Sequence, residues 1–255
     1  MTSKVAIVTG AARGIGHAIT KRFLAEGWRV AMVDIEAEEL LAAHAKIDVE
    51  DAVALVCDVS DPARVRKVVS STVEAFGRID AVVNNAGIAI FKPLLDTSFE
   101  DWSRVLAVNL NGPFLMVQEA APIMAETGGG AVVNIGSISG LRASTLRVAY
   151  GTSKAALAHL TKQQATELGE IGVRANLIAP GPVDTAMAKE VHTPEIRADY
   201  HDAIPLNRYG LEEEIANGVF FLCSDQASYI TGQILAVDGG FDGAGIGLPT
   251  LRRGR

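Results

Sequence analysis

Short apolar runs alternate with longer amphipathic stretches along most of this chain. Val5 to Thr9 is a continuous run rich in β-branched residues, and a helical pattern follows a glycine turn and extends to Glu26. The same alternation of a short buried run and a helical period then repeats. We predict further strands at 29–33, 52–57, 81–83, 131–135, 173–178 and 233–237, and helices at 36–47, 62–76, 99–127, 149–168 and 212–222.

Strands that alternate with helices and are joined by short turns are typical of parallel β-α-β units. The order therefore predicts the α/β class with a doubly wound parallel sheet, that is, a Rossmann fold. A length of 255 residues fits one large α/β domain, and no repeat or low-complexity tract interrupts the pattern. We expect residues 1–255 to form a single NAD(P)-binding domain that also carries the active site.

A glycine-rich turn joins the first strand to the first helix. Gly10, Gly14 and Gly16 have the spacing Gly-x-x-x-Gly-x-Gly, which departs from the commoner dinucleotide pattern Gly-x-Gly-x-x-Gly. Glycines let backbone N–H groups approach a pyrophosphate, and the positive end of the helix dipole stabilises its charge. The turn, which also contains Arg13 and Ile15, therefore predicts phosphate binding. A tight turn that needs positive φ explains one glycine but not three.

The end of the second strand bears on the choice between NAD and NADP. Asp34 follows the glycine loop by about twenty residues, where an acidic side chain binds the ribose hydroxyls of an adenosine. A 2′-phosphate would meet this carboxylate, whereas Arg13 could pair with such a phosphate. We give Asp34 more weight and predict NAD. Asp58 and Val59 end the third strand, where Asp58 either accepts from the adenine amino group or only supports the next turn.

Tyr150 and Lys154 are spaced for acid/base chemistry. They lie one turn apart on one face of the helix predicted at 149–168. A phenol has a pKa of about 10, and a neighbouring cation favours its ionised form, so we expect a lowered pKa for Tyr150. The spacing alone also fits a solvated helix face. Ser137 follows the fifth strand, which places its hydroxyl above the same crevice.

The motifs occur together in the order of a known family. The chain resembles the short-chain dehydrogenases/reductases along nearly its whole length, and the set of motifs is specific although each one is weak. The matching segments are Thr9-Gly10-x-x-x-Gly14-x-Gly16, Asn84-Asn85-Ala86-Gly87, Asn109, Ser137, Tyr150-x-x-x-Lys154, Pro180-Gly181 and Val237-Asp238-Gly239-Gly240.

The resemblance implies roles for individual residues. Tyr150 would be the acid/base, and Ser137 would hydrogen-bond the substrate oxygen. Lys154 would hold the nicotinamide ribose and lower the pKa of the phenol, while Asn109 would keep the water of a proton relay. The nicotinamide itself carries the hydride. Further cofactor contacts are implied for Asn85, Ala86, Gly87, Tyr150, Lys154, Pro180, Gly181, Val183 and Thr185.

The resemblance also describes segments and assembly. It implies that 186–205 is a substrate lid, for which the alternative is an ordinary pair of surface helices. The tail at 241–255 is long for this family, and either it crosses to a neighbouring subunit or its Arg252-Arg253-Gly254-Arg255 end is disordered. Relatives are usually dimers or tetramers, so we expect a homodimer or homotetramer.

The substrate is not named by the sequence, but two arginines narrow its chemistry. Arg142 and Arg147 lie between Ser137 and Tyr150, and Arg147 precedes the phenol by three residues. If it shares the face of Tyr150, Arg147 pairs with a polar substrate such as a polyol, a sugar or a hydroxy acid. An exposed arginine is the alternative.

Three functions stay open at this point. The first is an NAD-dependent oxidoreductase that interconverts a secondary alcohol and a ketone. The second is an NADPH-dependent 3-oxoacyl carrier-protein reductase, against which Asp34 and the acidic charge count. The third is a sensor that binds NAD(H) without catalysis. The intact set of Ser137, Tyr150 and Lys154 argues against this third function.

Composition excludes several other classes. The net charge is −7 without a basic patch before the last few residues, so we expect neither nucleic acid nor a membrane as a partner. The five histidines are scattered, which predicts no metal site. Cys57 and Cys223 are expected to be buried thiols. No apolar run reaches roughly 18 residues and the N-terminus lacks signal-peptide features, so we expect a soluble, cytoplasmic protein.

Overall fold

The computed structural model describes residues 3–245, apart from the side chains of Met187 and Glu190. Its strands are β1 (Val5–Thr9), β2 (Arg29–Asp34), β3 (Ala52–Val56), β4 (Ala81–Asn84), β5 (Gly130–Ile135), β6 (Val173–Pro180) and β7 (Ile234–Val237). Its helices are α1 (Gly14–Ala25), α2 (Ala37–Ile47), α3 (Pro62–Phe76), α4 (Phe99–Leu106), α5 (Gly112–Glu126), α6 (Ile138–Leu141), α7 (Val148–Leu168), α8 (Ala186–Val191), α9 (Pro194–Ala203) and α10 (Glu212–Cys223).

The strands form one parallel sheet in the order β3-β2-β1-β4-β5-β6-β7. This order confirms the predicted doubly wound α/β architecture in a single domain. The chain direction across the sheet reverses between β1 and β4, and the carboxyl ends of strands at such a switch point border the crevice that binds ligands in open α/β sheets.

Helices cover both faces of the sheet. One apolar cluster packs α1, α2 and α10 on one face, where Phe23 and Val219 are fully buried. The other cluster packs α3 and α5 on the opposite face, where Val65 and Met116 are fully buried. Strands that are buried on both faces read as continuous apolar runs, which explains why the sequence located them. Cys57 and Cys223 are both buried thiols, as predicted.

Two helical features differ from the sequence prediction. The helix expected at 99–127 is divided by a π-helical turn, Ala107–Asn111, between α4 and α5. Such a turn holds one more residue per hydrogen bond than an α-helical turn, and the turn contains the buried Asn109. The segment after Ser137, where no helix was predicted, contains the short helix α6, which is too short to give a periodic signal.

No helix in the region from residue 3 to residue 245 is both long enough and apolar enough to span a bilayer.

Candidate active site

Hydrogen bonds of two polar side chains connect the glycine loop to the end of β4. Asn85 Nδ2 donates to the backbone oxygens of Thr9 and Gly10, at 2.9 and 3.1 Å. In return, the Thr9 hydroxyl accepts from the backbone N–H groups of Asn85 and Ala86, both at 3.0 Å. These contacts explain why Thr9 and Asn85 accompany the glycines in the sequence motif, since they fix the shape of the loop.

The loop has the form of a phosphate cradle. Gly10 and Gly14 adopt φ values of +66° and +59°, which favour glycine. A Cβ atom on Gly16 would lie 2.0 Å from the Gly10 oxygen, so only glycine permits this close approach of α1 to the loop. The start of α1 has no side-chain cap and no acidic residue in its first turn. Its N–H groups therefore suit the pyrophosphate of a nicotinamide dinucleotide.

Asp34 lies beside this loop at the end of β2. Its Oδ2 accepts from the Ala12 N–H at 3.0 Å, and its Oδ1 accepts from the Glu36 N–H at 3.2 Å. The carboxylate thus sits at the edge of the cradle, as the strand order predicted. Arg13 is exposed and its guanidinium pairs with Glu39 at 3.1 Å, which gives its charge a partner within the protein.

Asp58 forms a local turn at the end of β3. Its Oδ1 accepts from both the N–H and the hydroxyl of Ser60, at 2.9 and 2.7 Å, and the hydroxyl contact lowers the pKa of Asp58. Of the two sequence interpretations, the turn is therefore present, and the adenine contact stays a prediction. Val59 is buried against Gly112, where a Cβ atom would lie 2.9 Å from Val59 Cγ2.

Ser137 and Tyr150 meet at the carboxyl end of β5. Ser137 caps the start of α6, where its hydroxyl accepts from the Ser139 N–H at 3.0 Å. Tyr150 lies in the first turn of α7. Burial raises the pKa of Tyr150, whereas hydrogen bonding by the Ser137 hydroxyl and the charge of Arg147 act to lower it. The predicted convergence of hydroxyl and phenol is thus present.

The sequence predicted a lowered pKa for Tyr150, and this prediction is wrong, because burial raises the pKa. The Lys154 ammonium is buried 5.7 Å from the centre of the Tyr150 ring and donates to the Ile135 oxygen at 2.7 Å. Burial also lowers the pKa of Lys154 to about 8. The same desolvation that disfavours the phenolate disfavours the cation expected to stabilise it. Helical spacing predicted their proximity but could not predict this desolvation.

Asn109 fixes the segment after β4. Its Oδ1 accepts from the Ile88 N–H, and its Nδ2 donates to the Ile88 oxygen, both at 2.9 Å. Nδ2 also donates to the Ser153 hydroxyl at 3.0 Å, and that hydroxyl donates to the backbone carbonyl oxygen of Tyr150 at 2.7 Å. A Cβ atom on Gly87 would lie 3.2 Å from Asn109 Oδ1. The Asn109 side chain therefore links the cofactor side of the cleft to α7, and its relay role stays a prediction.

The segment after β6 and the predicted lid form the opposite wall of the cleft. Pro180, Gly181, Val183 and Thr185 all line it, together with Ser137, Tyr150 and Lys154. The Thr185 hydroxyl accepts from the Ala188 N–H at 3.1 Å and so caps α8. Asp184 forms ion pairs with Arg197 of α9 at 2.8 Å and with Lys189 of α8 at 3.3 Å, and so connects the two helices of the predicted lid. The cleft between these walls has a volume of about 230 Å³.

The two arginines of the sequence argument have different positions. Arg147 immediately precedes α7, and its guanidinium lies 6.0 Å from the centre of the Tyr150 ring, so it lines the cleft as predicted. Arg142 instead pairs with Asp242 at 3.1 Å and lies against the Phe241 ring. Arg142 thus anchors residues 241–242, while 246–255, including the basic end at 252–255, lie outside the described residues.

Sequence reasoning did not single out Phe91, His192 and Tyr200, whose side chains are among those that line the cleft. Phe91 stacks on Arg147 at 5.0 Å, while His192 directly follows α8 and Tyr200 lies in α9, with their rings 5.3 Å apart. None of them stands in a motif. The predicted lid at 186–205 contains His192 and Tyr200 without singling them out, and Phe91 lies in a segment where neither a strand nor a helix was predicted.

Comparison with known proteins places this chain among related oxidoreductases. A family model described as Enoyl-(Acyl carrier protein) reductase matches residues 10–242. The chain is 40% identical over 243 residues to D-threitol dehydrogenase of Mycolicibacterium smegmatis, and the match covers 94% of each protein. It is 39% identical over 248 residues to a 3-oxoacyl-(acyl-carrier-protein) reductase of Thermotoga maritima, with 94% of this chain and 98% of that protein covered.

Among solved structures, the fold is similar to that of levodione reductase. The TM-score is 0.91 at 35% sequence identity, and the match covers 96% of this chain and 99% of the other. The shared architecture and the related sequences are those of oxidoreductases that act on CH–OH groups and use a nicotinamide cofactor.

Proposed function

This chain belongs to the short-chain dehydrogenase/reductase family, and we propose that it is an NAD-dependent oxidoreductase that interconverts a secondary alcohol and a ketone. The proposed substrate is small and polar: a polyol, a sugar or a hydroxy acid. The observation that carries the proposal is the convergence of Ser137, Tyr150 and Lys154 on one cleft, beside a glycine loop shaped for a pyrophosphate.

The bound nicotinamide ring would exchange the hydride with the carbinol carbon. In ketone reduction, the Ser137 hydroxyl donates to the substrate oxygen and the Tyr150 phenol gives it a proton. Because burial raises the pKa of Tyr150, the phenol is protonated at neutral pH and ready for this direction. In alcohol oxidation the phenol must first give its proton to solvent, so that the phenolate can then accept the proton of the substrate hydroxyl.

The remaining site residues hold the cofactor or orient neighbouring parts of the cleft. The Lys154 ammonium has three N–H donors, of which one binds the Ile135 oxygen, so two are available to the ribose hydroxyls. Asn109 acts as a positioning residue that fixes Ile88 and α7, and keeps the water of the proton relay. Residues 186–205 serve as the substrate lid.

NAD is proposed over NADP because of Asp34. Its carboxylate already accepts two backbone N–H groups at the edge of the cradle and would accept from a ribose hydroxyl there. A 2′-phosphate in the same place would be repelled. The charge of Arg13, which could offset that repulsion, is paired with Glu39.

The second candidate is an NADPH-dependent 3-oxoacyl carrier-protein reductase. The related protein of Thermotoga maritima favours it, and its reaction would use the same Ser137, Tyr150 and Lys154. Such an enzyme needs a basic surface for its acidic carrier protein, whereas this chain has a net charge of −7. A catalytically silent NAD(H) sensor is the candidate from another class.

The test of catalysis is the Tyr150→Phe variant. Removing the phenolic oxygen should abolish turnover while NADH binding, followed by cofactor fluorescence, stays within about three-fold of wild type. Unchanged turnover would remove the proposed acid/base. Absence of turnover in the wild type, with NADH binding intact, would favour the sensor.

We also propose a cytoplasmic homodimer or homotetramer. The proposed assembly is supported by two apolar side chains at the surface, Leu95 and Phe99, which are 95% and 82% exposed in the single chain. Multi-angle light scattering of the wild type should give a dimer or tetramer mass, and Leu95→Ser with Phe99→Ser should lower it if this surface is the interface.

A further inference from the structure

The cleft is lined by basic groups although the chain as a whole is acidic. The described residues that line it include Lys154, Arg147 and His192, and no Asp or Glu. The net charge of the whole chain is −7. Lys154 binds the Ile135 oxygen and is assigned above to the cofactor ribose. Arg147 and His192 are therefore the two basic groups left for the substrate.

Arg147 has no carboxylate partner among the residues that the structure describes. Other arginines of this region are paired with acids: Arg13 with Glu39, Arg142 with Asp242 and Arg197 with Asp184. Arg147 instead lies over the rings of Phe91 and Tyr150, at 5.0 and 6.0 Å, and donates to the Ser139 hydroxyl at 3.4 Å. Stacking fixes the plane of a guanidinium while its edge stays free to donate.

His192 faces the same cleft from the lid. Its Nδ1 shares a 3.0 Å hydrogen bond with the Tyr209 hydroxyl, and its ring packs on Tyr200. These contacts orient the imidazole and leave Nε2 for a ligand. Burial lowers the pKa of His192, and the charges of Arg147 and Arg197 lower it further. The imidazole is therefore neutral at neutral pH, and it can donate to an anion through Nε2–H when Nδ1 accepts from the Tyr209 hydroxyl.

We infer that the substrate carries a compact oxyanion, a carboxylate or a phosphate, which pairs with Arg147 and with His192 of the lid. The inference rests on the proposed function and narrows its substrate class. A neutral polyol would leave the partly buried guanidinium without a counter-charge beneath the lid, which is unfavourable. An oxyanion would receive charge-assisted hydrogen bonds from the edge of the guanidinium.

The test is NADH-linked reduction of two pairs of ketones that share a carbon skeleton and differ in charge. The pairs are 3-oxobutanoate with 3-oxobutanamide, and hydroxyacetone phosphate with hydroxyacetone. The wild type should prefer the anionic member of one pair by at least about 30-fold in kcat/KM, and that pair identifies the oxyanion. Arg147→Ala should remove the preference, because the KM of the anionic ketone should rise far more than the KM of the neutral ketone.

Three further variants sharpen the test. Arg142→Ala is the matched control, because Arg142 lies in the same segment and has the same charge but does not line the cleft. It should retain the preference. Arg147→Lys keeps the charge and should retain part of it, and His192→Gln should reduce it by about five-fold. An equal loss in Arg142→Ala and Arg147→Ala would indicate a general effect of charge and would overturn the inference.

Binding measurements separate this inference from the proposed function. Calorimetry follows each ketone binding to the NADH complex of wild type and Arg147→Ala. Turnover of both members of each pair without a charge preference leaves the proposed function standing and overturns the inference. If no ketone is turned over but anions bind in a manner that depends on Arg147, the ligand class stands and the proposed function falls. Anion binding that is unchanged in Arg147→Ala overturns the inference.

Discussion

The side-chain amide of Asn109 pairs with both backbone polar groups of Ile88, donating to its oxygen and accepting from its N–H at 2.9 Å each. Asn109 is fully buried, so Asn109→Ala leaves these groups without partners. We predict that it lowers the free energy of unfolding by about 2–3 kcal/mol, measured by urea denaturation.

The matched control for this prediction is Asn111→Ala. Asn111 lies two residues further along and is exposed, so its replacement should change the free energy of unfolding by less than about 0.5 kcal/mol. Equal losses in the two variants would mean that the π-helical turn, and not the amide pairing, determines the stability of this region.

Asp34 is predicted to set the cofactor preference. Asp34→Asn removes the charge while keeping the size of the side chain, so kcat/KM should fall about ten-fold with NAD and rise about ten-fold with NADP. Asp51→Asn is the control, because Asp51 is an exposed carboxylate that pairs with Arg29 at the opposite end of the strands. An equal fall in kcat/KM with NAD and with NADP would contradict the prediction. It would mean that Asp34 only orders the loop through its hydrogen bond with the Ala12 N–H.

The close approach of α1 to the glycine loop predicts that Gly16→Ala weakens NADH binding. A Cβ atom there would meet the Gly10 oxygen at 2.0 Å and Asn85 Nδ2 at 2.6 Å, so the loop must move. We expect at least a ten-fold weaker Kd, measured by NADH fluorescence. Gly169→Ala is the control, since nothing lies within 4 Å of a Cβ atom at that position. If Gly16→Ala bound NADH with wild-type affinity, the glycine loop would not be the pyrophosphate-binding site.

Glu214 is predicted to stabilise the protein in a pH-dependent way. The hydrogen bonds from Arg208 and from the Leu211 N–H lower the pKa of Glu214 to about 2. Because the pKa of Glu214 is lower in the folded protein than its ordinary value of 4.5, the carboxylate stabilises the fold at pH values above 4.5. This stabilisation is lost as the pH falls toward 2. The Arg208 and Glu214 side chains are 49% and 38% exposed, so solvent screening limits the effect to about 1 kcal/mol at pH 7.

Thermal unfolding of Glu214→Gln across pH measures this contribution. The variant should be less stable than wild type at pH 7, and the difference should narrow below pH 4.5. Glu213→Gln, at the neighbouring exposed position, should follow the wild type throughout. A difference that stays constant with pH would show that the charge of Glu214 is not its cause.

Features that depend on local order along the chain were predictable. Strand β1 was located at Val5–Thr9 because a strand that is buried on both faces requires an unbroken apolar run. The parallel order then placed the glycine loop, Asp34 and Ser137 at one edge of the sheet. Arg147 also lies near Tyr150, as its separation of three residues suggested, although it precedes α7 and is not part of the helix.

Features that depend on distant contacts or on burial were not predictable. The raised pKa of Tyr150 follows from desolvation, which the spacing of Tyr150 and Lys154 does not encode. The different positions of Arg142 and Arg147 depend on where residues 241–242 return to the fold. The position of His192 in the cleft involves contacts far apart in sequence, since the Tyr209 hydroxyl shares a hydrogen bond with its imidazole and Asp184 pairs with Arg197 of α9.

The most direct test of the central claim is the turnover of purified protein with NAD and with NADP against polyols, sugars, hydroxy acids and simple secondary alcohols. We predict that NAD is reduced with one polar class of alcohol, at a kcat/KM at least ten-fold above that with NADP. Activity restricted to NADPH and a 3-oxoacyl thioester would contradict the account and make the protein a carrier-protein reductase.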